Sequence, residues 1–341
     1  MSKENAVILC GAASLIAQEV ALIDVLMKGY GLSFSQQDTL LAGLSSGALN
    51  VIAINAAFSG DKPIPWDIYK NDYLFNLKTK NIYIKNGSQY DTSPLRKYIE
   101  KFITKAGYQR FGKLPFSSAT LVAWPTLPGR TYWINNVVPD VIPEGNEVAA
   151  QIREEWENLD SVDVLMSTTA VNFFGVAIFP TQNIRYDDGN NEKYIIRNGE
   201  PAIFSDGGTW GSFLRFDKFF NAFLNKEGQI KKNMYIIAPD LRLVPETPAE
   251  DFQGLDENTK EAITQRFSLQ NFITFLKKLK EFNDQYDLVK GKIYVSKPNL
   301  KYFDPLNFNF EKTQYDDTKT WAKNNPTEVA IPIDQYIKKH I

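Results

Sequence analysis

The chain contains almost none of two residue types on which many active sites depend, cysteine and histidine. Its 341 residues include one cysteine, Cys10, and one histidine, His340. A single cysteine excludes a disulfide within the chain, and a single histidine excludes a metal site built from several histidines. A serine nucleophile would have to recruit His340, one residue from the C-terminus, or use a carboxylate as its base. We expect the carboxylate.

The chain also lacks a charge excess and a long apolar run. Lys and Arg number 38 against 40 Asp and Glu, and no block of like charges could follow a phosphate backbone, so nucleic acid is not an expected partner. No stretch reaches the ~20 apolar residues of a transmembrane helix. With 43% hydrophobic and 13% aromatic residues, the chain can bury a large core in one α/β domain or two smaller ones.

The N-terminal apolar run has two interpretations. Lys3 precedes Ala6–Ala17, which fits the hydrophobic part of a signal peptide cleaved before Gln18. The apolar pattern continues beyond that point, which favours a buried strand at 6–10, a small-residue loop at 11–14 and a helix at 15–28. Without a convincing signal we expect a cytoplasmic protein, and export as an effector is the alternative.

The most informative stretch runs from Asp38 to Ala57. A short apolar run ends in Gly43-Leu44-Ser45-Ser46-Gly47, and an Ala-rich run typical of a helix follows. A G-x-S-x-G pattern between strand and helix predicts a nucleophile elbow, in which Ser45 stands exposed on a tight turn. The alternative is a Gly/Ser turn that caps a buried helix.

The loop after the first predicted strand has a related interpretation. A strand, a small-residue loop and a helix together present backbone N–H groups to an anion. Gly11, Ala12 and Ala13, with the N–H of Ser46, could therefore form an oxyanion hole opposite Ser45. Close packing of a helix on a strand explains the same small residues.

A candidate base lies much later in the chain. The apolar run Pro201–Phe204 leads into Ser205 and then Asp206, Gly207 and Gly208. This arrangement puts the Asp206 carboxylate at the end of a strand, where α/β proteins build active sites. An Asp-Gly turn is the simpler explanation. The lack of a well-placed histidine gives this carboxylate a function.

Other segments complete the prediction. Hydrophobic patterning and turn residues indicate strands at 119–124, 131–137, 234–238 and 293–295, a hairpin at 183–197, and helices at 66–77, 94–102 and 147–159. An acidic linker at 246–258 precedes helices within 259–289, whose aromatic and basic residues indicate packing on the core or contact with a membrane surface. Residues 297–326 are aromatic-rich and are predicted to be irregular.

Three motifs in one order resemble the patatin-like phospholipase family. They are the small-residue loop Gly11–Ser14, the elbow Gly43–Gly47 and the Asp206–Gly208 segment. The segments 91–95 and 167–170 resemble others in that family. The resemblance implies a three-layer α/β/α fold with a mostly parallel central sheet, and a Ser45–Asp206 dyad that acts on lipid or lysophospholipid esters without metal or cofactor. It implies one domain over 1–341, with a core at about 5–240 and a C-terminal extension from 241.

The loop departs from the family pattern. Where the family has Gly-Gly-Gly-x-Arg-Gly, this chain has Gly11-Ala12-Ala13-Ser14-Leu15-Ile16, so Leu15 replaces the arginine. An alanine forced to positive φ costs on the order of 1 kcal/mol. The expected function is lipid acyl hydrolysis, and the alternative is a catalytically weak protein that binds lipid or fatty acid.

Overall fold

A computed structural model gives the fold. It describes residues 3–36, 38–86, 89–123, 131–136, 159–170, 177–179, 183–187, 192–196, 202–207, 220, 224, 228–240, 257, 269–300 and 306–341. The predicted helix at 147–159 and the predicted linker at 246–258 lie almost wholly outside these residues, and Gly208 lies outside them as well.

The described strands are spread over the whole chain and form one main sheet and two separate two-stranded sheets. The strands are β1 Asn5–Leu9, β2 Thr39–Leu44, β3 Ile84–Asn86, β4 Gln89–Asp91, β5 Ser117–Ala123, β6 Thr131–Asn135, β7 Ala177–Phe179, β8 Asn183–Asp187, β9 Glu192–Ile196, β10 Ala202–Asp206, β11 Met234–Ile237, β12 Ile293–Ser296 and β13 Ile331–Pro332. The main sheet has the order β13-β12-β11-β1-β2-β5-β10-β7, with β6 also paired to β5. The five strands from β12 to β5 are mutually parallel, and antiparallel strands flank them.

Helices cover both faces of this sheet. They are α1 Ile16–Gly29, α2 Ser46–Phe58, α3 Trp66–Ile68 with a π-helical continuation at Tyr69–Leu74, α4 Ser93–Ala106, α5 Ser161–Thr168, α6 Leu269–Tyr286, α7 Glu311–Asn324 and α8 Ile333–Lys339. Helix α4 starts one residue before the predicted 94–102 helix and extends to Ala106; it has a proline in its first turn and Gly107 in the left-handed conformation after its last residue.

Alternate residues of the central strands pack into hydrophobic cores on opposite faces of the sheet. Ala6 and Ile8 of β1 pack with residues of α6 and α8 on one face. Val7 and Leu9 pack with residues of α1 and α2 on the other. Buried parallel strands read as continuous apolar runs because both faces are covered, as in β1 and β2. The predicted three-layer α/β/α fold with central parallel strands is confirmed.

Strand β1 settles the interpretation of the N-terminal run. It pairs in parallel with β11 on one side and β2 on the other, so it lies in the middle of the sheet. Cleavage before Gln18 would remove this strand and the start of α1. The run therefore belongs to the folded core.

The segment after residue 241 completes the same sheet. Strand β12 pairs with β11, and β13 pairs with β12. The prediction of irregular structure over 297–326 is wrong for 311–324, which form α7. On α6, Phe275, Leu279 and Phe282 are buried, so that helix packs on the core rather than presenting these rings to a membrane. Among the described helices, none combines the length and apolar character needed to cross a bilayer.

Helix α7 packs along α1 through polar side chains. Gln314 Nε2 donates to the Ser14 carbonyl oxygen at 3.0 Å, and Gln18 Nε2 donates to Gln314 Oε1 at 3.0 Å. Gln18 Oε1 in turn accepts the N–H of Asp240 at 2.7 Å, and Asp240 Oδ1 lies 3.3 Å from the Lys297 ammonium. These buried contacts join the C-terminal part of the chain to the loop after β1.

Glu311 begins α7 in an unfavourable setting for a charge. Its residue is 1% exposed, and in the described part of the chain neither carboxyl oxygen has a hydrogen bond of normal geometry. Burial raises the pKa of the Glu311 carboxyl to about 8, although the nearby backbone N–H of Phe310, the Lys78 ammonium and its own N–H act to lower it. The folded protein therefore holds this group protonated at neutral pH.

Replacement of Glu311 should make the protein more resistant to alkaline pH. A folded-state pKa above the ordinary value of 4.5 means that stability is full below pH 4.5 and falls as pH rises towards 8, because ionisation favours the unfolded chain. We expect Glu311→Gln to gain on the order of 4 kcal/mol over the wild type at pH 8.5 relative to pH 4.5. Urea unfolding at both pH values measures this, with the exposed Glu100→Gln as control. Parallel pH profiles for wild type and Glu311→Gln would contradict a protonated Glu311.

Candidate active site

Ser45 lies between β2 and α2. Strand β2 ends at Leu44, helix α2 begins at Ser46, and Ser45 has φ 51° and ψ −128°. A residue other than glycine held at positive φ is strained, and such strain concentrates at functional positions. The strand, turn and helix around Ser45 thus have the arrangement that a nucleophile elbow requires.

Three glycines allow the backbone to pass closely at this turn. A Cβ on Gly43 would lie 2.7 Å from the backbone of Gly47 and Ala48, and a Cβ on Gly47 would lie 2.6 Å from the Leu9 carbonyl oxygen. A Cβ on Gly11, which has φ +56°, would lie 2.0 Å from the Leu44 carbonyl oxygen. The ends of β1 and β2 and the first turn of α2 therefore touch through backbone atoms.

Asp206 ends β10 on the other side of β5. In the register of the sheet, Asp206 lies opposite Val122 of β5, and Leu44 lies opposite Leu121. Strand β5 thus separates the ends of β2 and β10, whose backbones are two strand spacings apart, roughly 10 Å. Ser45 and Asp206 are buried, at 6% and 1% exposed, so the prediction that Ser45 stands exposed on the turn is wrong. The structure brings these two distant residues to the same edge of the sheet.

The C-terminal end of α5 contacts both residues. The Ser45 N–H donates to Thr168 Oγ1 at 3.2 Å, and the Asp206 N–H donates to the Ala170 carbonyl oxygen at 2.8 Å. One short segment thus holds the backbone of both residues. In the sequence, residues 167–170 only resemble a segment of patatin-like phospholipases, and their contacts with Ser45 and Asp206 were not predicted.

The predicted oxyanion loop is bonded differently from the expectation. The Gly11 N–H donates to Glu19 Oε1 at 2.6 Å, and the Ala12 N–H donates to Ser46 Oγ at 3.1 Å. The Gly11 N–H is therefore directed at a buried side chain of α1 and does not face a substrate. The Ala12 N–H bonds to a hydroxyl that can rotate.

Glu19 belongs to a buried polar group behind the elbow. Asn50 Nδ2 of α2 donates to Glu19 Oε2 at 2.9 Å, and the Tyr69 hydroxyl donates to Asn50 Oδ1 at 2.8 Å. Burial, with lesser contributions from Tyr98 and Glu19, raises the pKa of the Tyr69 hydroxyl well above its ordinary value, so this group stays protonated and donates. These contacts fix Gly11 from the side of α1 and α2.

Packing explains the departures of this loop from a glycine-rich pattern. Leu15 and Ile16 are buried in the hydrophobic cores on the two sides of the loop. Ala13 has φ 49°, which costs an alanine on the order of 1 kcal/mol. Leu15, which stands where patatin-like phospholipases have an arginine, therefore packs in the core and brings no charge to the site.

The remaining motif positions and His340 lie as follows. A Cβ on Gly207 would lie 2.7 Å from the Leu121 carbonyl oxygen, so this position needs glycine for the approach to β5.

His340 follows α8, which packs on β12 and β13. Strand β12 is three strand spacings from β2, about 14 Å, so His340 is poorly placed to serve Ser45. The described residues contain no cluster of side chains that could hold a metal ion.

Substitution of Gly11 should test the close backbone contact. We expect Gly11→Ala to lower the free energy of unfolding by ~3 kcal/mol or more, because its Cβ would overlap the Leu44 carbonyl. Gly107→Ala is the matched control: Gly107 also has positive φ, but nothing lies within 4 Å of its Cβ. That change should cost only ~1 kcal/mol. Equal losses in denaturant unfolding would mean that the contact at Gly11 is absent.

Comparison with known proteins adds no family to these observations. The sequence matches no model of a known protein family, and a search of curated proteins finds no match. The motifs and the geometry of the site are therefore the basis for its proposed function.

Proposed function

We propose that the protein is a serine hydrolase of lipid acyl esters, of phospholipase A or lysophospholipase type. The observation that carries the proposal is the placement of Ser45 in a strained turn between β2 and α2, held by the same short segment that holds Asp206. The lipid substrate rests on the resemblance of three ordered motifs to patatin-like phospholipases.

In the proposed reaction Asp206 acts as the base. Ser45 Oγ bonds to the ester carbonyl carbon while its proton passes to the Asp206 carboxylate, and the carbonyl oxygen becomes an oxyanion. The ester C–O bond then breaks, and the leaving alcohol takes the proton from Asp206. Water next gives a proton to Asp206 and bonds to the acyl carbon. Ser45 Oγ leaves with that proton, and the fatty acid is released.

The oxyanion donors are fewer than the sequence suggested. Ser46 begins α2, so its N–H has no partner within the helix and lies at the positive end of the helix dipole. We assign Ser46 and Ala13 as the donors, since Gly11 is bonded to Glu19. Ala12 could join them only if the Ser46 hydroxyl turned away.

A second candidate function is binding of lipid or fatty acid with little catalysis. The bonded N–H groups of Gly11 and Ala12 favour it, because each lost donor weakens stabilisation of the oxyanion. Retention of Ser45 in the elbow geometry, with Asp206 at the same edge, favours the enzyme. A fluorophosphonate probe, which bonds to an activated serine with loss of fluoride, separates the two functions.

Ser45→Ala should abolish labelling by the probe and hydrolysis of a lysophospholipid. The substitution removes one hydroxyl and should leave the melting temperature nearly unchanged, since alanine keeps the same strained backbone position. Mass spectrometry of the labelled wild type should locate the probe on Ser45. Ser59→Ala, at the other end of α2, is the matched control and should label normally. Labelling of another residue, or turnover by purified Ser45→Ala, would refute the assignment.

Asp206→Asn should lower kcat by on the order of 10²-fold or more with little change in KM, because the amide keeps the shape of the side chain but cannot accept a proton. The melting temperature, measured with the kinetics, should hold because asparagine fits the same turn. His340→Ala is the control and should retain kcat. Full turnover by Asp206→Asn, or a loss in His340→Ala of ~10³-fold, would contradict a Ser-Asp dyad.

A further inference from the structure

The Thr168 hydroxyl is a junction of three buried hydrogen bonds. It donates to the Leu121 carbonyl oxygen at 2.7 Å, and it accepts from the Thr120 hydroxyl at 2.9 Å and from the Ser45 N–H at 3.2 Å. A hydroxyl has one hydrogen to donate and two lone pairs to accept with. These bonds use the full capacity of the group, and Thr168 is completely buried.

The neighbouring hydroxyls behave differently. Ser167 Oγ donates to the Asp163 carbonyl oxygen at 2.7 Å, and Thr169 Oγ1 donates to the Leu165 carbonyl oxygen at 2.7 Å. Both are ordinary contacts with the preceding turn of the same helix. Thr168 instead connects α5 to β5 and to the elbow, so its contacts are not explained by its place in a helix.

The Ser45 N–H needs a fixed partner because its residue is strained. At φ 51° and ψ −128° the backbone lies outside the broad regions that a serine adopts, at a cost of order 1–3 kcal/mol that the surroundings must offset. Two bonds to β5 fix the Thr168 oxygen, so the lone pair offered to Ser45 is also fixed. Loss of this acceptor would allow the peptide at Ser45 to rotate towards a relaxed conformation.

We propose that Thr168 is a positioning residue for Ser45. Through its hydroxyl, β5 and α5 hold the elbow in the strained conformation that presents Ser45 Oγ. The Ala170 carbonyl, two residues further on, fixes the backbone of Asp206, so a single segment sets the relative placement of both groups. The consequence for catalysis rests on the proposed hydrolase function, whereas the consequence for the backbone of Ser45 does not.

The test compares Thr168→Val with Thr169→Val. Both changes replace a buried threonine hydroxyl by a methyl group at neighbouring positions, and Thr168→Ser restores the hydroxyl. Hydrogen–deuterium exchange on peptides that cover 41–48 reports the Ser45 amide without any need for activity. The rate of fluorophosphonate labelling, and kcat against KM where turnover is found, report the presentation of Ser45 Oγ. Melting temperatures identify any general loss of stability.

We expect the Ser45 amide to exchange at least ~10-fold faster in Thr168→Val than in Thr169→Val. The labelling rate and kcat of Thr168→Val should fall by about 10²-fold, with KM little changed. Thr168→Ser should recover most of the slow exchange and most of the labelling rate and kcat. Unchanged exchange in Thr168→Val, or equal effects of the two valine variants, would overturn the proposal. A wild type that is not labelled, combined with the expected exchange difference, would refute the hydrolase function and leave Thr168 as the anchor of the turn.

Discussion

The contact between backbones at Gly11, Gly43 and Gly47 is the constraint on which the site depends. Side chains normally separate the end of a strand from the start of a neighbouring helix. Here the carbonyl oxygens of Leu9 and Leu44 occupy the space that a Cβ on Gly47 or on Gly11 would need. Because both neighbours are backbone atoms, no change of rotamer could relieve an added methyl group. The turn at Ser45 is therefore held from the outside by rigid elements, which is how a strained residue persists in a folded protein.

Local patterns predicted the fold well because the central strands are buried on both faces. Runs such as Ala6–Cys10 and Met234–Ala238 are apolar throughout and have the length of a strand, and glycines or small residues end them. The turn at Ser45 was predictable for a similar reason, since a glycine on each side of a serine indicates an unusual backbone. These signals lie within a few residues of the feature that they predict.

Features that depend on distant partners could not be predicted in this way. Helix α7 was missed because its buried face carries polar side chains, among them Gln314 and Thr318, so it has no apolar stripe. The partners of the Gly11 and Ala12 N–H groups were missed because Glu19 and Ser46 lie on different helices. The hydrogen-bond partners of Thr168 could not be predicted from its place in a motif, because they lie on β5 and in the turn at Ser45.

The buried hydrogen bonds of Gln314 with Gln18 and Ser14, here called the polar seam, affect the order of folding. Its hydrogen bonds join residues 296 and 300 positions apart in the chain, from Gln18 and Ser14 to Gln314. Contacts of such long sequence separation close late, because the entropy of a large loop is lost before they form. During synthesis, helix α1 therefore emerges long before its polar partner. Until residues beyond 310 leave the ribosome, the nascent chain exposes this seam to chaperones and to water.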